Sequence, residues 1–262
     1  MDFTVGRDGD FVFASGANAA QSTILFQRDF RPLDFPYLSS WFSVDSGVYT
    51  NETTVANPGN PISKWLSRVN GTDLRMDTTA KQPQFINGGV YFSSIASSAN
   101  NDILSGVTSE IYNAPLNYYL AVNSITGYST NSSAYFVKLN TASASNSYAA
   151  QTLFGNMSAA NITIANSNIQ LSNTRTSVLG YIFDTTNTAT VRNGYVGENL
   201  AGLGGATNTA KNIVVGGQYP AGNAFYINGT IYEILIYTGV AHTSGQQNRV
   251  LKYLADKWGA SM

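Results

Sequence analysis

The chain has 262 residues, of which 43% are hydrophobic and only 11% charged, with a formal net charge of −1, one histidine and no cysteine. Charged residues usually make up about 25% of a globular chain, so this surface must be polar through Asn, Ser, Thr, Gln and Tyr, which suits sheets and loops better than exposed helices. The near-zero charge gives no field to draw in nucleic acid or anionic lipid. The lack of cysteine excludes disulfides and thiolate metal sites, and the single His242 excludes a His-based metal cluster within one chain.

Residues 1–35 differ in style from the rest. A strand-like piece around Phe11, Val12 and Phe13 leads into a loop over 15–22, a second apolar piece over 23–26 and a charged stretch over 27–31. Two readings stay open, an extra hairpin on the main domain or an arm that docks it on a larger assembly. No stretch of roughly 18 apolar residues could span a bilayer. The first ten residues lack the basic-then-apolar order of a secretory signal, which predicts synthesis in a cytosol.

From Pro32 onward the chain reads as short strands punctuated by turns. Apolar runs rich in Ile, Val, Phe and Tyr predict strands over 41–44, 62–66, 90–92, 118–122, 134–139, 161–164, 177–183, 188–191, 212–215 and 230–237. Turns are predicted at 57–61, 87–89, 192–194 and the Asn228-Gly229 pair. The Gly-rich stretch 201–206 lacks the Gly-Lys-Ser/Thr ending of a phosphate loop. Ten or more short strands without a repeat period imply an all-β sandwich or jelly roll over 36–262. One helix closes it: Thr243 and Ser244 each have a Gln three residues on, Val250, Tyr253, Leu254 and Trp258 share a face, and Gly259 ends it.

Three blocks in order carry a family likeness: FRPLDFPYLSSWFSVDSG over 30–47, ISKW over 62–65 with QPQF over 82–85 and GVYF over 89–92, and GTIYEILIY over 229–237 with YLADKWG over 253–259. The chain resembles the laminin-G-like jelly rolls of the concanavalin A-like lectin and glucanase superfamily, in the form found in bacteriophage tail, fibre and virion-surface proteins. The likeness implies a concanavalin A-like sandwich in which Trp41, Trp65 and Trp258 belong to the core.

Glucanases of that superfamily place two carboxylates on one strand, as in Glu-x-Asp-x-x-Glu, because retaining hydrolysis needs an acid and a nucleophile about 5 Å apart. Here Glu233 stands alone and reads as structural, accepting hydrogen bonds. His242 precedes the helix cap as a turn residue and has no nucleophile elbow to serve. The chain is therefore expected not to be an enzyme. No cofactor is expected either: the resemblance leaves loop-bound calcium open, but Asp45, Asp73, Asp77, Asp102 and Asp184 read as turn caps and form no dense calcium loop. Sugar contact needs aromatic faces beside polar groups, and Tyr128, Tyr148, Tyr195 and Tyr219 lie in polar segments suited to it.

The resemblance implies a virion surface protein, a capsid decoration, fibre or tail-associated module, made in the host cytoplasm and binding host-surface or environmental glycans. The alternative is a purely structural subunit that stabilises the particle, and a carbohydrate-active enzyme stands third. Expected partners are other virion subunits, cell-surface glycans and further copies of the chain.

Overall fold

The computed structural model describes residues 2–5, 11–14, 30–93, 102–112, 115–128, 133–140, 147–153, 161–163, 170–172, 174–183, 188–201, 210–217 and 226–262. The strands in chain order are β1 (Asp2–Val5), β2 (Phe11–Ala14), β3 (Leu38–Ser43), β4 (Val48–Tyr49), β5 (Lys64–Leu66), β6 (Asp73–Arg75), β7 (Gln84–Ile86), β8 (Gly89–Phe92), β9 (Leu104–Tyr112) and β10 (Leu116–Tyr128). They continue with β11 (Ser133–Asn140), β12 (Ser147–Leu153), β13 (Asn161–Thr163), β14 (Gln170–Ser172), β15 (Ser177–Phe183), β16 (Thr188–Asn193), β17 (Val196–Ala201), β18 (Ala210–Val215) and β19 (Tyr226–Thr238). One helix, α1 (Ser244–Trp258), follows.

The architecture is an all-β antiparallel sandwich with a C-terminal helix. Among the described residues, one sheet has eight strands in the order β17-β16-β15-β10-β19-β8-β7, with β3 also paired to β19, and the other has seven in the order β12-β11-β18-β9-β6-β5-β4. The main core lies between them, built from side chains such as Phe42, Trp65, Leu74, Leu104, Tyr118, Leu120, Ile213 and Ile236. A second core lies on the other face of the eight-stranded sheet, where Val250, Leu251, Leu254 and Ala255 of α1 pack on Tyr119, Ala121, Val178, Leu235 and Tyr237. The central strands β10, β15 and β19 are thus buried on both faces. That is why 177–183 and 230–237 read as nearly continuous apolar runs rather than as alternating ones. Each fully buried Leu or Val contributes about 1.5–3 kcal/mol.

The 177–183 strand stands as predicted, and β1 pairs with β2 as a hairpin. The predicted apolar piece at 23–26 and the Gly-rich 202–206 lie outside the described residues. Asn228-Gly229 is corrected: it is no turn but part of the 13-residue β19, with Asn228 paired to Thr126 and Gly229 to Phe92. Pairing on both edges overrides the local Asn-Gly preference.

The helix start follows its sequence signal. The Thr243 side chain accepts from the Gln246 N–H, Gln246 reaches back to the Thr243 N–H at 2.9 Å, and Gly259 caps the other end at φ 67°. Replacing Thr243 with Ala should cost about 1 kcal/mol in urea denaturation, the usual worth of such a cap.

Candidate functional site

On the seven-stranded sheet the period of two decides which side chains leave the core. Val48, Trp65, Leu74 and Leu104 point inward. Their neighbours Tyr49, Lys64, Arg75 and Ser105 point outward, and the register Tyr49↔Lys64↔Arg75↔Ser105↔Val214↔Lys138 aligns them in one row across six strands. Gly106, beside Ser105, permits the close approach of β6: a Cβ there would lie 2.0 Å from the Asp73 carbonyl oxygen. Gly106→Ala should therefore cost about 1–3 kcal/mol by overpacking, read as a lower denaturation midpoint.

Charge is concentrated at one end of the row. The Arg75 guanidinium forks onto both carboxylate oxygens of Glu52, the second at 3.0 Å, and also donates to Asp73 Oδ2 at 2.6 Å. Lys64 donates to the Glu52 carbonyl at 2.5 Å and lies 4.6 Å from the centre of the Tyr49 ring. The Arg75 bonds hold the Glu52 carboxyl below the usual carboxylate range, and those same bonds raise Arg75. Asp73 Oδ1 is buried and has no hydrogen-bond partner among the described residues. Val107, two residues beyond Ser105 on the same face, is 76% exposed, and Val55, bridged to Tyr49, is 63% exposed. Further along the row Lys138 is buried, and the loss of hydration lowers its pKa. The exposed end combines a fixed guanidinium, two carboxylates, an aromatic ring and aliphatic surface. Such a set can bond vicinal hydroxyls and pack against a sugar's C–H face.

Of the four tyrosines expected to contact sugar, the three described ones are not brought together there. Tyr195 is 54% exposed at the β16–β17 turn of the eight-stranded sheet. Tyr128 ends β10 opposite Tyr226, and Tyr148 lies on β12, an edge of the seven-stranded sheet, opposite Leu139. Tyr219 lies outside the described residues. The row was missed in the sequence, although the polar–apolar–polar alternation at 73–75 hints at an outward Asp73 and Arg75. Glu52 joins them only in the folded chain, from the loop after β4.

Glu233 is structural, as expected, and its surroundings explain most of the motif residues. Between β10 and β19 the register skips Tyr232, because Ala121 pairs with Glu233 and Val122 with Ile231. This bulge puts Tyr232 and Glu233 on the same face. Ile231 can then stay in the sandwich core while Glu233 turns toward the helix, where it is fully buried. It accepts from Trp41 Nε1 at 2.6 Å, Tyr253 Oη at 3.0 Å, Lys257 Nζ at 2.7 Å and Trp258 Nε1 at 2.7 Å. Lys257 also reaches Asp45 at 2.5 Å, and Trp258 stacks on Tyr232 with ring centres 5.1 Å apart. The expectation of core tryptophans holds for Trp41 and Trp65. Trp258 is only half-buried, since its indole must reach the carboxylate from the helix end.

No protein-family model matches the chain, and no curated protein is similar to it in sequence. Solved structures do resemble it. A Trypanosoma rangeli sialidase in complex with 2,3-difluoro-KDN aligns with a TM-score of 0.51 at 10% identity, over 87% of this chain and 34% of that one. A GH54 α-L-arabinofuranosidase soaked with a cyclic sulfate inhibitor aligns with a TM-score of 0.51 at 14% identity, over 78% of this chain and 52% of that one. These likenesses correct the expectation that the chain is not an enzyme. Both folds belong to glycosidases, and the missing Glu-x-Asp-x-x-Glu pattern excludes one arrangement of carboxylates rather than all of them. At such identities the likeness shows the fold, and the chain spans about a third of the sialidase and half of the arabinofuranosidase. The sandwich is thus a fold carried by carbohydrate-active proteins.

Proposed function

We propose that the chain is a lectin-like sandwich protein that binds glycans on the outer face of its seven-stranded sheet. The observation that carries this reading is the cluster of Arg75, Glu52 and Asp73, backed by the buried Lys64, beside Tyr49, Val55 and Val107. Its hydrogen bonds fix the polar groups before any ligand arrives, so little side-chain entropy remains to be lost on binding. Its occurrence on a fold carried by carbohydrate-active proteins supports the same reading.

Binding of a glycan panel to the wild type and to Arg75→Ala tests it. The variant should lose at least tenfold in affinity, the loss of one or two charged hydrogen bonds, while its Tm changes little because exposed ion pairs contribute little. Equal binding by both proteins would sink the assignment to this face. Incubating the same panel with the protein and looking for new reducing ends tests turnover as well.

The finer reading is a virion surface protein made in the host cytoplasm, with other virion subunits as partners. It rests on the three ordered sequence blocks, and immunogold labelling of purified particles tests it. The exposed Tyr195 and Val196 of the β16–β17 turn favour a second role in contacts with neighbouring subunits. Particles assembled with both residues replaced by Ser would then lose the protein.

A further inference from the structure

A series of hydrogen bonds joins the buried His242 to the exposed turn between β16 and β17. The His242 N–H donates to Asn117 Oδ1 at 2.9 Å, and its ring Nδ1 lies 2.9 Å from the Tyr119 hydroxyl. The His242 carbonyl accepts from Gln247 Nε2 at 2.8 Å, on the first turn of α1. Gln247 Oε1 in turn accepts from Arg192 at 3.3 Å, and the other end of that guanidinium donates to the Tyr195 carbonyl at 3.1 Å. Arg192 lies across Gly197, where a Cβ would come within 3.0 Å of its Cγ. One side chain therefore spans from the helix to the turn, and the histidine holds the helix end of the span.

The surroundings of the ring oppose a positive charge. His242 is 4% exposed, packed among Phe35, Tyr119 and Tyr237, and its Nε2 has no hydrogen-bond partner among the described residues. The ionisable groups around it are Tyr119 from β10, Tyr237 from β19 with Asp34 acting on that phenol, Arg249 of α1 stacked on the same Phe35, and Arg192 of β16 through Gln247. The one anion among them, Asp34, acts on the Tyr237 phenol and not on the ring, and the two phenols and two guanidiniums offer a proton no compensation. The position just before a helix N-terminus adds an unfavourable dipole.

We infer that His242 is a proton-operated catch for the Tyr195 turn. A protonated ring must leave its apolar seat to be hydrated. Its backbone moves with it, so Asn117 and Gln247 lose their partners, and Gln247 can no longer hold Arg192 against the turn. Acid would then free the exposed Tyr195 and Val196 while the sandwich core stays folded. The inference stands independently of glycan binding.

Because His242 is the sole histidine, its ring resonance gives its titration directly by NMR. Amide hydrogen exchange, corrected for intrinsic rates, reports the turn in the same samples. Opening at residues 195–197 should rise about tenfold per pH unit as pH falls from 6.5 toward the ring's own titration, as proton linkage requires, while the amides of β15 keep their protection. In His242→Gln the rise should vanish. In Gln247→Ala the turn should exchange fast already at pH 7, with no further rise, while the ring titration stays in place. If His242→Gln does not fold, Gln247→Ala carries the test alone. Unchanged protection at 195–197 through the ring's titration, or a loss of protection shared by the whole sandwich, would overturn the inference.

Discussion

Replacing Glu233 with Ala should cost about 3–5 kcal/mol, the usual penalty for removing one member of a buried charge pair. For a domain of this size that lowers the Tm by roughly 10 °C. The cost has two parts. Two indole N–H groups and a phenol lose a fully buried acceptor, and among the described residues Lys257 keeps Asp45 to balance its charge. A conservative change helps little, since the amide of Glu233→Gln turns a donor toward either an indole N–H or the ammonium. Lys257→Met should be harmful for the mirror reason, because it leaves a fully buried carboxylate with no cation. Thermal melts of both single variants and of the Glu233→Gln, Lys257→Met double variant give a cycle. The double variant should be less damaged than the sum, by about 0.5–3 kcal/mol. A loss below about 1 kcal/mol for Glu233→Ala would mean that the helix is held by its apolar face alone.

This knot shows how far the sequence could be read. Local signals carried the helix completely, because its cap at Thr243, its apolar face and Gly259 all act within a few residues. Strands buried on both faces, such as 177–183, were legible as unbroken apolar runs. What failed were features made by pairing. The bulge at Tyr232 has no local mark, yet it alone decides that Glu233 faces Trp41 and Trp258 instead of the sandwich core. Asn228-Gly229 carries a strong turn signal, yet it is held extended by strands on both sides. Those strands come from parts of the chain about 100 residues or more away.

The candidate site fails to show in the sequence for the same reason. Lys64 and Arg75 are neighbours only because β5 and β6 pair in that register, and Glu52 reaches them from the loop after β4. Of the tyrosines in polar segments, Tyr128 and Tyr195 belong to the eight-stranded sheet and Tyr148 to the far edge of the seven-stranded one, away from β4, β5 and β6. Chemistry spread across adjacent strands is invisible until the register is known, because each strand contributes one side chain at a time to a given row.

Stability should be nearly flat between pH 6.5 and 4, although two buried groups each shift it by several kcal/mol there. Burial lowers His242 from 6.5 to about 4. It therefore stabilises the fold fully above pH 6.5, and that contribution is lost as pH falls through 4, about 3 kcal/mol in all. Asp102 acts with the opposite sign. Burial raises it from 3.8 to about 6, against a single backbone bond from the Ser93 N–H at 2.7 Å that favours the charged form. Its contribution is fully present below pH 3.8 and lost as pH rises through 6, again about 3 kcal/mol. Over the shared window one group takes away what the other supplies. Asp102→Asn keeps an acceptor for Ser93 and removes the buried charge, so it should be more stable than the wild type at pH 7 and lose about 3 kcal/mol on acidification to pH 4. His242→Gln should do the reverse and gain stability over the same range. Urea titrations at half-unit pH steps measure both slopes. Parallel curves for the two variants would show that neither group is buried in the charge state that its surroundings imply.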